Sequence, residues 1–414
     1  MLRLSGRFCR TITAGTWKAV HDRCNRNTGL IVLVIYLRMR TVTMQKHTTP
    51  VIKLNQPDDN YKFQSLPRPS GNYPYHLSAD TILPLNEDKL IFHMVGDTGG
   101  KLNPSFQKKV ALEMSRQVGY GLPASKCSQF LYHLGDVVYH FGEAAHYDQQ
   151  FFSPYRDYPA PIFAIAGNHD SDVNPDSELP YQSLEAFHAV FCDTVSRTIS
   201  FSSNSDWKSM IQPHIYWTLE TPLANMIGLH SNVPKYGVIG KDQREWFIDE
   251  LKAADRQRPD KAILVCLHHA PYSADVNHGS SLPMIRFLED AFTESGVRPD
   301  IVFSGHVHNY QRFHKNYPDG TSLPFIVAGA GGFDELHELA QTDQKAYTTE
   351  HRLIKDVKLM NFCDTQHGFL KVTLERVDEG ISLSGDYYTI PHQVEPQESA
   401  VLTDRFAYSF KRKL

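Results

Sequence analysis

FLYHLGDVVY, residues 130–139, decides the fold: an apolar run with the look of a buried strand enters Gly135-Asp136 directly, and Tyr139 follows three positions later. A single Gly-Asp after a strand is ordinarily a turn or a helix cap. Here the pattern recurs. LIFHMV (90–95) precedes Gly96-Asp97-Thr98-Gly99, and PIFAIA (161–166) precedes Gly167-Asn168-His169-Asp170. Further on, ILVCL (263–267) precedes His268-His269, and DIVFS (300–304) precedes Gly305-His306-Val307-His308. Runs of this length and β-branched content read as buried strands, and segments such as 104–118 and 241–254 between them read as amphipathic helices. Strands alternating with helices imply an α/β sheet core. Polar residues just beyond the carboxyl ends of such strands lie where open α/β sheets place their binding sites. Five strand ends therefore converge on one place.

Outward from these motifs, the sequence divides into four parts. Residues 1–43 read as a leader or disordered extension, and 44–88, rich in Pro, Asn and Asp, as irregular polypeptide leading into the fold. The domain bearing these motifs is expected over 89–392, with a polar insertion or lid at 171–212 holding a helix near 183–193, and 393–414 is expected as a C-terminal tail. Strand pairs are expected at 215–219 with 226–230, and in the alternating stretch GFLKVTLERVDEGISLSGDYYTI. The apolar run 29–37 has nine residues, against the ~20 that a membrane-spanning helix needs, so no span is expected. Six scattered cysteines without CxxC suit reduced thiols and a cytoplasmic location. The basic residues before the 29–37 run leave secretion or a periplasmic location as the alternative. A net charge of −4 offers no basic field for nucleic acid or an anionic membrane surface.

Histidine is abundant, at 21 residues, and imidazole is the commonest metal ligand among side chains. Gly-His-x-His at a strand end puts two imidazoles on one side of the chain, since alternate residues share a face. His93 and His133 lie inside strand runs and read as core histidines. Carboxylates and an amide oxygen mixed with imidazoles favour Fe, Mn, Zn or Co over Ca or Mg. The ordered set GDxG, GDxxY, GNH, VxxH and GHxH resembles the calcineurin-like metallophosphoesterase superfamily, and Tyr139 makes it most similar to the purple acid phosphatases. The resemblance runs over roughly 89–390 and implies a β-sandwich of two mixed sheets flanked by helices, with the site at strand carboxyl ends.

What the resemblance implies for the chemistry is a dinuclear centre. Asp97, Asp136, Tyr139 and His308 would hold one ion; Asp136, Asn168, His268 and His306 would hold the other. Such a pair clamps the attacking and leaving oxygens of an in-line displacement and supplies hydroxide near neutrality. If Tyr139 ligates, its phenolate favours Fe(III) beside Fe, Zn or Mn(II); if it only packs, a Mn, Zn or Fe(II) pair follows. By resemblance His169 contacts phosphate or protonates the leaving oxygen; its alternative is a structural histidine paired with Asp170. His269 either faces substrate or packs. The expected function is hydrolysis of small phosphate monoesters. A phosphodiesterase acting on a cyclic nucleotide, nucleotide or glycerophosphodiester is the alternative, and a non-catalytic metal-binding scaffold is the third reading.

Overall fold

The computed structural model describes residues 45–102, 104–119, 126–202, 207–391 and 399–411. The expected leader and the 29–37 run lie outside the described residues.

Two mixed sheets carry the fold. In one, six strands run in the order Val401–Lys411, Gly380–Thr389, Gly368–Val377, Lys89–Val95, Leu131–His133 and Ile162–Ala164. The last three are parallel, and Gly368–Val377 joins Lys89–Val95 antiparallel. The other sheet has eight strands, in the order Val357–Cys363, Tyr310–Asn316, Ser322–Ala328, Ile301–Ser304, Ala262–Leu267, Ala224–Leu229, Trp217–Glu220 and His76–Ser78. Its centre, from Ser322–Ala328 to Ala224–Leu229, is parallel.

Side-chain alternation explains why the sheets stack. Phe92, Met94, Phe130, Tyr132, Leu134 and Phe163 from one sheet meet Trp217, Leu219, Met226, Leu264, Cys266 and Phe303 from the other in a shared core. The intervening residues of the Ala262–Leu267 strand, Ile263, Val265 and Leu267, face outward into a second core with Trp246 and Phe247 of the Lys241–Asp255 helix and Met284 and Leu288 of the Leu282–Ser295 helix. Val95 and Leu131 likewise pack with Val110 and Met114 of the Ser105–Arg116 helix. Strands covered on both faces have no polar face to show, which is why their sequences are continuous apolar runs. Burying each large side chain contributes about 1.5–3 kcal/mol over leaving it exposed.

The expected helices at 104–118, 241–254 and 183–193 form as Ser105–Arg116, Lys241–Asp255 and Glu185–Phe191. Two expectations need correction. The C-terminal segment is no tail: Val401–Lys411 pairs along the whole of Gly380–Thr389 and closes the edge of the six-stranded sheet. The 44–88 segment is not wholly irregular, because Ile52–Lys53 pairs with Tyr347–Thr348 and His76–Ser78 adds a parallel edge strand beside Trp217–Glu220. Among the described residues no helix is long and apolar enough to cross a membrane.

Candidate metal centre

Every residue expected at the site follows a strand's carboxyl end, in a loop or, for Asn168 and His169, in the short helix Asn168–Ser171. Asp97 follows Lys89–Val95, Asp136 and Tyr139 follow Leu131–His133, and Asn168 follows Ile162–Ala164. His268 follows Ala262–Leu267, and His306 and His308 follow Ile301–Ser304. Asp97, Asp136 and His306 take left-handed backbone conformations, with φ of 57°, 54° and 67°. Such residues cost roughly 1–3 kcal/mol each and persist where surrounding contacts over-determine them. Those contacts are present: Asp97 N–H donates to Gly135 O at 3.0 Å, Thr98 N–H to Asp136 O at 3.2 Å, and His306 N–H to Asp97 Oδ2 at 2.8 Å. Gly135 must be glycine, since its φ is +94° and a Cβ there would lie 2.6 Å from Gly167 N and 2.8 Å from His268 Nδ1.

The buried Asp170 carboxylate ties two of these loops together. It accepts from Val137 N–H at 3.0 Å, Val138 N–H at 3.2 Å and Gly167 N–H at 2.8 Å. Its partners are thus backbone amides of the Asp136 and Asn168 loops. His169 instead directs Nδ1 to His140 O at 2.7 Å, so the expected alternative of a His169–Asp170 pair is not what forms.

The imidazoles show how the centre is built. His268 Nδ1–H donates to Leu134 O at 2.9 Å, His306 Nε2–H to Lys235 O at 3.2 Å, and His308 Nδ1–H to Glu335 O at 3.1 Å. Each ring thereby commits one nitrogen to a backbone carbonyl and turns the other inward. His268 Nε2 lies 3.1 Å from Asn168 Oδ1 and 3.3 Å from Asp136 Oδ2, and His306 Nδ1 lies 3.0 Å from Asn168 Oδ1. His308 Nε2 lies 3.4 Å from the Tyr139 hydroxyl and 3.7 Å from Asp97 Oδ1, and the Tyr139 hydroxyl is 3.4 Å from the same Asp97 oxygen. The inward nitrogens of His306 and His308, whose N–H groups are spent on backbone carbonyls, turn lone pairs toward the facing oxygens, an arrangement that needs a shared proton or cation. A ligating histidine characteristically hands its other N–H to a carbonyl or carboxylate in this way.

Charge at the site tells the same story. Burial raises the Asp97 carboxyl well above its ordinary range and the neighbouring Asp136 carboxylate adds to this, against the opposing pull of His268. Burial would raise Asp136 too, but His268 and His169 hold it below the usual carboxylate range. Burial depresses His268, yet Asp136 and Asp97 carry it up to about 9. Burial, then Asp136 and Asp97, push the Tyr139 phenol well up. Burial and neighbouring histidines push His306 and His308 well down, so both rings are neutral and hold free lone pairs. Asp97, Asp136 and Tyr139 could all be ionised in such a place only against a positive counter-charge. The donor set fits a pair of transition-metal ions, with Asp97, Asp136 and His268 close enough together to share one.

His269 is fully buried, shares a 2.7 Å hydrogen bond with Ser231 through Nδ1, and lays its ring 4.2 Å from that of His306. Of its two expected roles these contacts favour packing. His93 and His133 are buried core histidines bonded to Tyr158 and Thr98. Three residues beside the site carry no motif that reveals them. His278 places its ring 4.1 Å from that of His306, and His337 stacks at 4.1 Å on His308. Asp275 joins them as a second cluster able to approach a metal. Its oxygens, however, already accept from the amides of Asn277, His278 and Gly279 and from the Ser273 hydroxyl, which makes Asp275 the organiser of the loop carrying His278.

The calcineurin-like phosphoesterase family model matches residues 72–310. Purple acid phosphatase 18 of Arabidopsis thaliana is 24% identical over 72% of this chain and 68% of its own length. Purple acid phosphatase 21 of the same plant is 28% identical over 38% of this chain and only 37% of its own length. Among solved structures, GAP50, the anchor in the inner membrane complex of Plasmodium, aligns with a TM-score of 0.51 over 79% of this chain and 90% of its own, at 15% identity, a likeness of fold alone. The match spans more than half of the chain and includes all five strand-end motifs with every metal ligand expected here, so the chain belongs to the calcineurin-like phosphoesterase family.

Proposed function

We propose that this chain is a dinuclear metal-dependent hydrolase of phosphate monoesters. The observation that carries the reading is the matched trio of imidazoles, each with one nitrogen on a backbone carbonyl and the other turned toward Asp97, Asp136, Tyr139 or Asn168. Asp97, Asp136, Tyr139 and His308 would hold one ion, and Asp136, Asn168, His268 and His306 the other, with Asp136 shared. Two ions so held would supply Lewis acidity toward the phosphoryl group and activate water near neutral pH. Phenolate donation from Tyr139 favours Fe(III) beside a divalent Fe, Zn or Mn; a Mn, Zn or Fe(II) pair suits the remaining donors.

The other work falls to the chain itself. The 2.7 Å bond from His169 Nδ1–H to His140 O orients the ring and leaves Nε2 to deliver a proton to the departing oxygen. General acid help of this kind typically contributes about 10²–10⁴-fold. His278 Nδ1 is buried without a hydrogen-bond partner among the described residues, beside His306, and is suited to donate to a phosphate oxygen.

The test is to prepare the protein without chelators, determine its metals by elemental analysis, and assay matched aryl phosphate mono- and diesters. Two metals per chain and faster monoester turnover are expected, both lost in Asp136→Ala. Faster diester turnover would replace the monoesterase reading with a diesterase, and hydrolysis that survives removal of all metal would overturn the dinuclear reading.

A further inference from the structure

We propose that Lys53 and Lys235 form a second anion-binding position beside the metal centre, which selects phosphate esters carrying a further phosphate group. The proposal rests on the phosphoesterase reading above and refines its substrate class.

Two separate parts of the chain reach the loop that bears His278. From the N-terminal side, Ile52 bridges Gly279, and Lys53 Nζ donates to Asn277 O at 3.0 Å and to Val276 O at 3.4 Å. That leaves one of its three N–H donors. From the segment after the Ala224–Leu229 strand, Lys235 O accepts from His306 Nε2–H at 3.2 Å, and the adjacent Tyr236 hydroxyl donates to His278 O at 3.2 Å. Lys235 is thus fixed to a proposed metal ligand by its own backbone. Its half-buried ammonium makes no hydrogen bond or ion pair with a described residue, and neither does Lys53 pair with a carboxylate.

The carboxylates in the neighbourhood are committed elsewhere. Asp59 accepts the Lys235 backbone N–H at 3.1 Å and pairs with Lys62 at 3.6 Å. Asp275 is occupied by the amides of its own loop. A partly desolvated charge without a partner is unfavourable, and a bound anion relieves it. With one phosphate group at the metals, a second on the same substrate would reach this pair.

The experiment uses the metal-loaded full chain. kcat/KM is measured for propyl phosphate and for the bisphosphates of alkanediols with two to five methylenes, corrected for their two equivalent esters. At least one bisphosphate is expected to exceed propyl phosphate by about tenfold to a hundredfold, the size of one or two charge-assisted contacts. Lys235→Met, Lys53→Met and the double variant should bring that ratio toward one, while Lys235→Arg should keep most of it. No preference at any chain length, or an equal fractional loss on both substrate types in the variants, overturns the subsite. Calorimetric binding of propane-1,3-bisphosphonate against propylphosphonate gives a second readout that needs no turnover. If neither ester is hydrolysed but the bisphosphonate preference appears and depends on Lys235, the phosphatase reading fails and the anion site stands.

Discussion

Asp170→Asn is the substitution that most directly tests how the fold holds the site. The side chain keeps its shape, but one carboxylate oxygen becomes an NH2 group. Asp170 Oδ2 accepts from Gly167 N–H at 2.8 Å, and Oδ1 accepts from Val137 at 3.0 Å and Val138 at 3.2 Å. Whichever way the amide turns, a donor meets a donor. Losing a hydrogen bond to a charged acceptor costs about 1.5–3 kcal/mol, and the stranded buried N–H adds about 1–3 kcal/mol, so we expect a destabilisation of about 3–5 kcal/mol. Against a typical total of about 5–15 kcal/mol the variant should still fold. The damage should travel to the metals, because Gly167 packs directly on the Asp136 carboxylate and His169 N–H donates to Asp136 Oδ1 at 2.9 Å. Loss of a partner that orients ligands typically costs about 10–100-fold in metal affinity. Urea titrations in the presence of chelator isolate the fold term, and competition with a chromophoric chelator measures the metal term. A change below about 1 kcal/mol, within the range of ordinary substitutions, together with unaltered metal affinity, would refute the idea that Asp170 clamps the two loops.

Tyr139→Phe should preserve the fold and abolish any visible charge-transfer band of an Fe(III) form, since only the hydroxyl facing Asp97 and His308 is removed; a band that survives the substitution contradicts phenolate ligation. His169→Ala should retain both metals while slowing alkyl phosphates far more than nitrophenyl phosphate, whose leaving group needs no proton, by up to about 10²–10⁴-fold in kcat/KM; equal losses on both would assign His169 to positioning. His76 lies between Glu220 and Glu250 at 2.9 and 2.8 Å, and those bonds carry it from 6.5 to about 9. Because the folded value is raised, its stabilisation is complete below about pH 6.5 and disappears as pH rises through 9. Solvent exposure limits it to about 1 kcal/mol. The gap in urea midpoint between wild type and His76→Ala should therefore close between pH 7 and 10, and a gap independent of pH would show that the charge contributes nothing.

The strand-end motifs were legible because two local signals coincide in them: an apolar run long enough to be a strand, and a Gly paired with a donor residue at its end. The Leu282–Ser295 helix carries local signals of another kind, in its caps. Ser281 accepts from Met284 N–H, Pro283 stands in the first turn, and Gly296 ends the helix at φ 71°. The Val401–Lys411 strand alternates in VLTDRFAYSF, but the polar stretch before it makes the end of the chain look like a tail. Asp170 was visible only as a neighbour of His169. Gly167 is a local partner three positions earlier, but Val137 and Val138 belong to a loop more than thirty positions earlier, a tertiary relation that no local spacing encodes. His278, Asp275 and Lys235 escaped for that reason as well: a lone histidine or lysine in a loop gains its meaning only when Ile52–Lys53 and the segment after Leu229 close around it.

The two sheets would supply different kinds of donor to the proposed centre. Asp97, Asp136, Tyr139 and Asn168, the oxygen donors, all follow strands of the six-stranded sheet, while His268, His306 and His308, the nitrogen donors, all follow strands of the eight-stranded sheet. Neither sheet can complete a mixed O/N coordination set alone. The protein already bridges the same seam, through His268 Nδ1 to Leu134 O at 2.9 Å, His306 N–H to Asp97 Oδ2 at 2.8 Å and Gly96 N–H to Ala328 O at 2.9 Å. Metal ions bound here would therefore join the sheets as well as serve the chemistry, and at a free concentration a hundred times Kd a single site adds about 2.7 kcal/mol to stability. Chelation should lower the unfolding midpoint as one transition and release amide-exchange protection at the strand ends of both sheets together, around Asp97 and Asp136 on one side and His268 and His306 on the other. Protection lost from one sheet alone, with the other unchanged, would mean that the ions belong to that sheet's residues and that the division of donors across the seam has no energetic consequence.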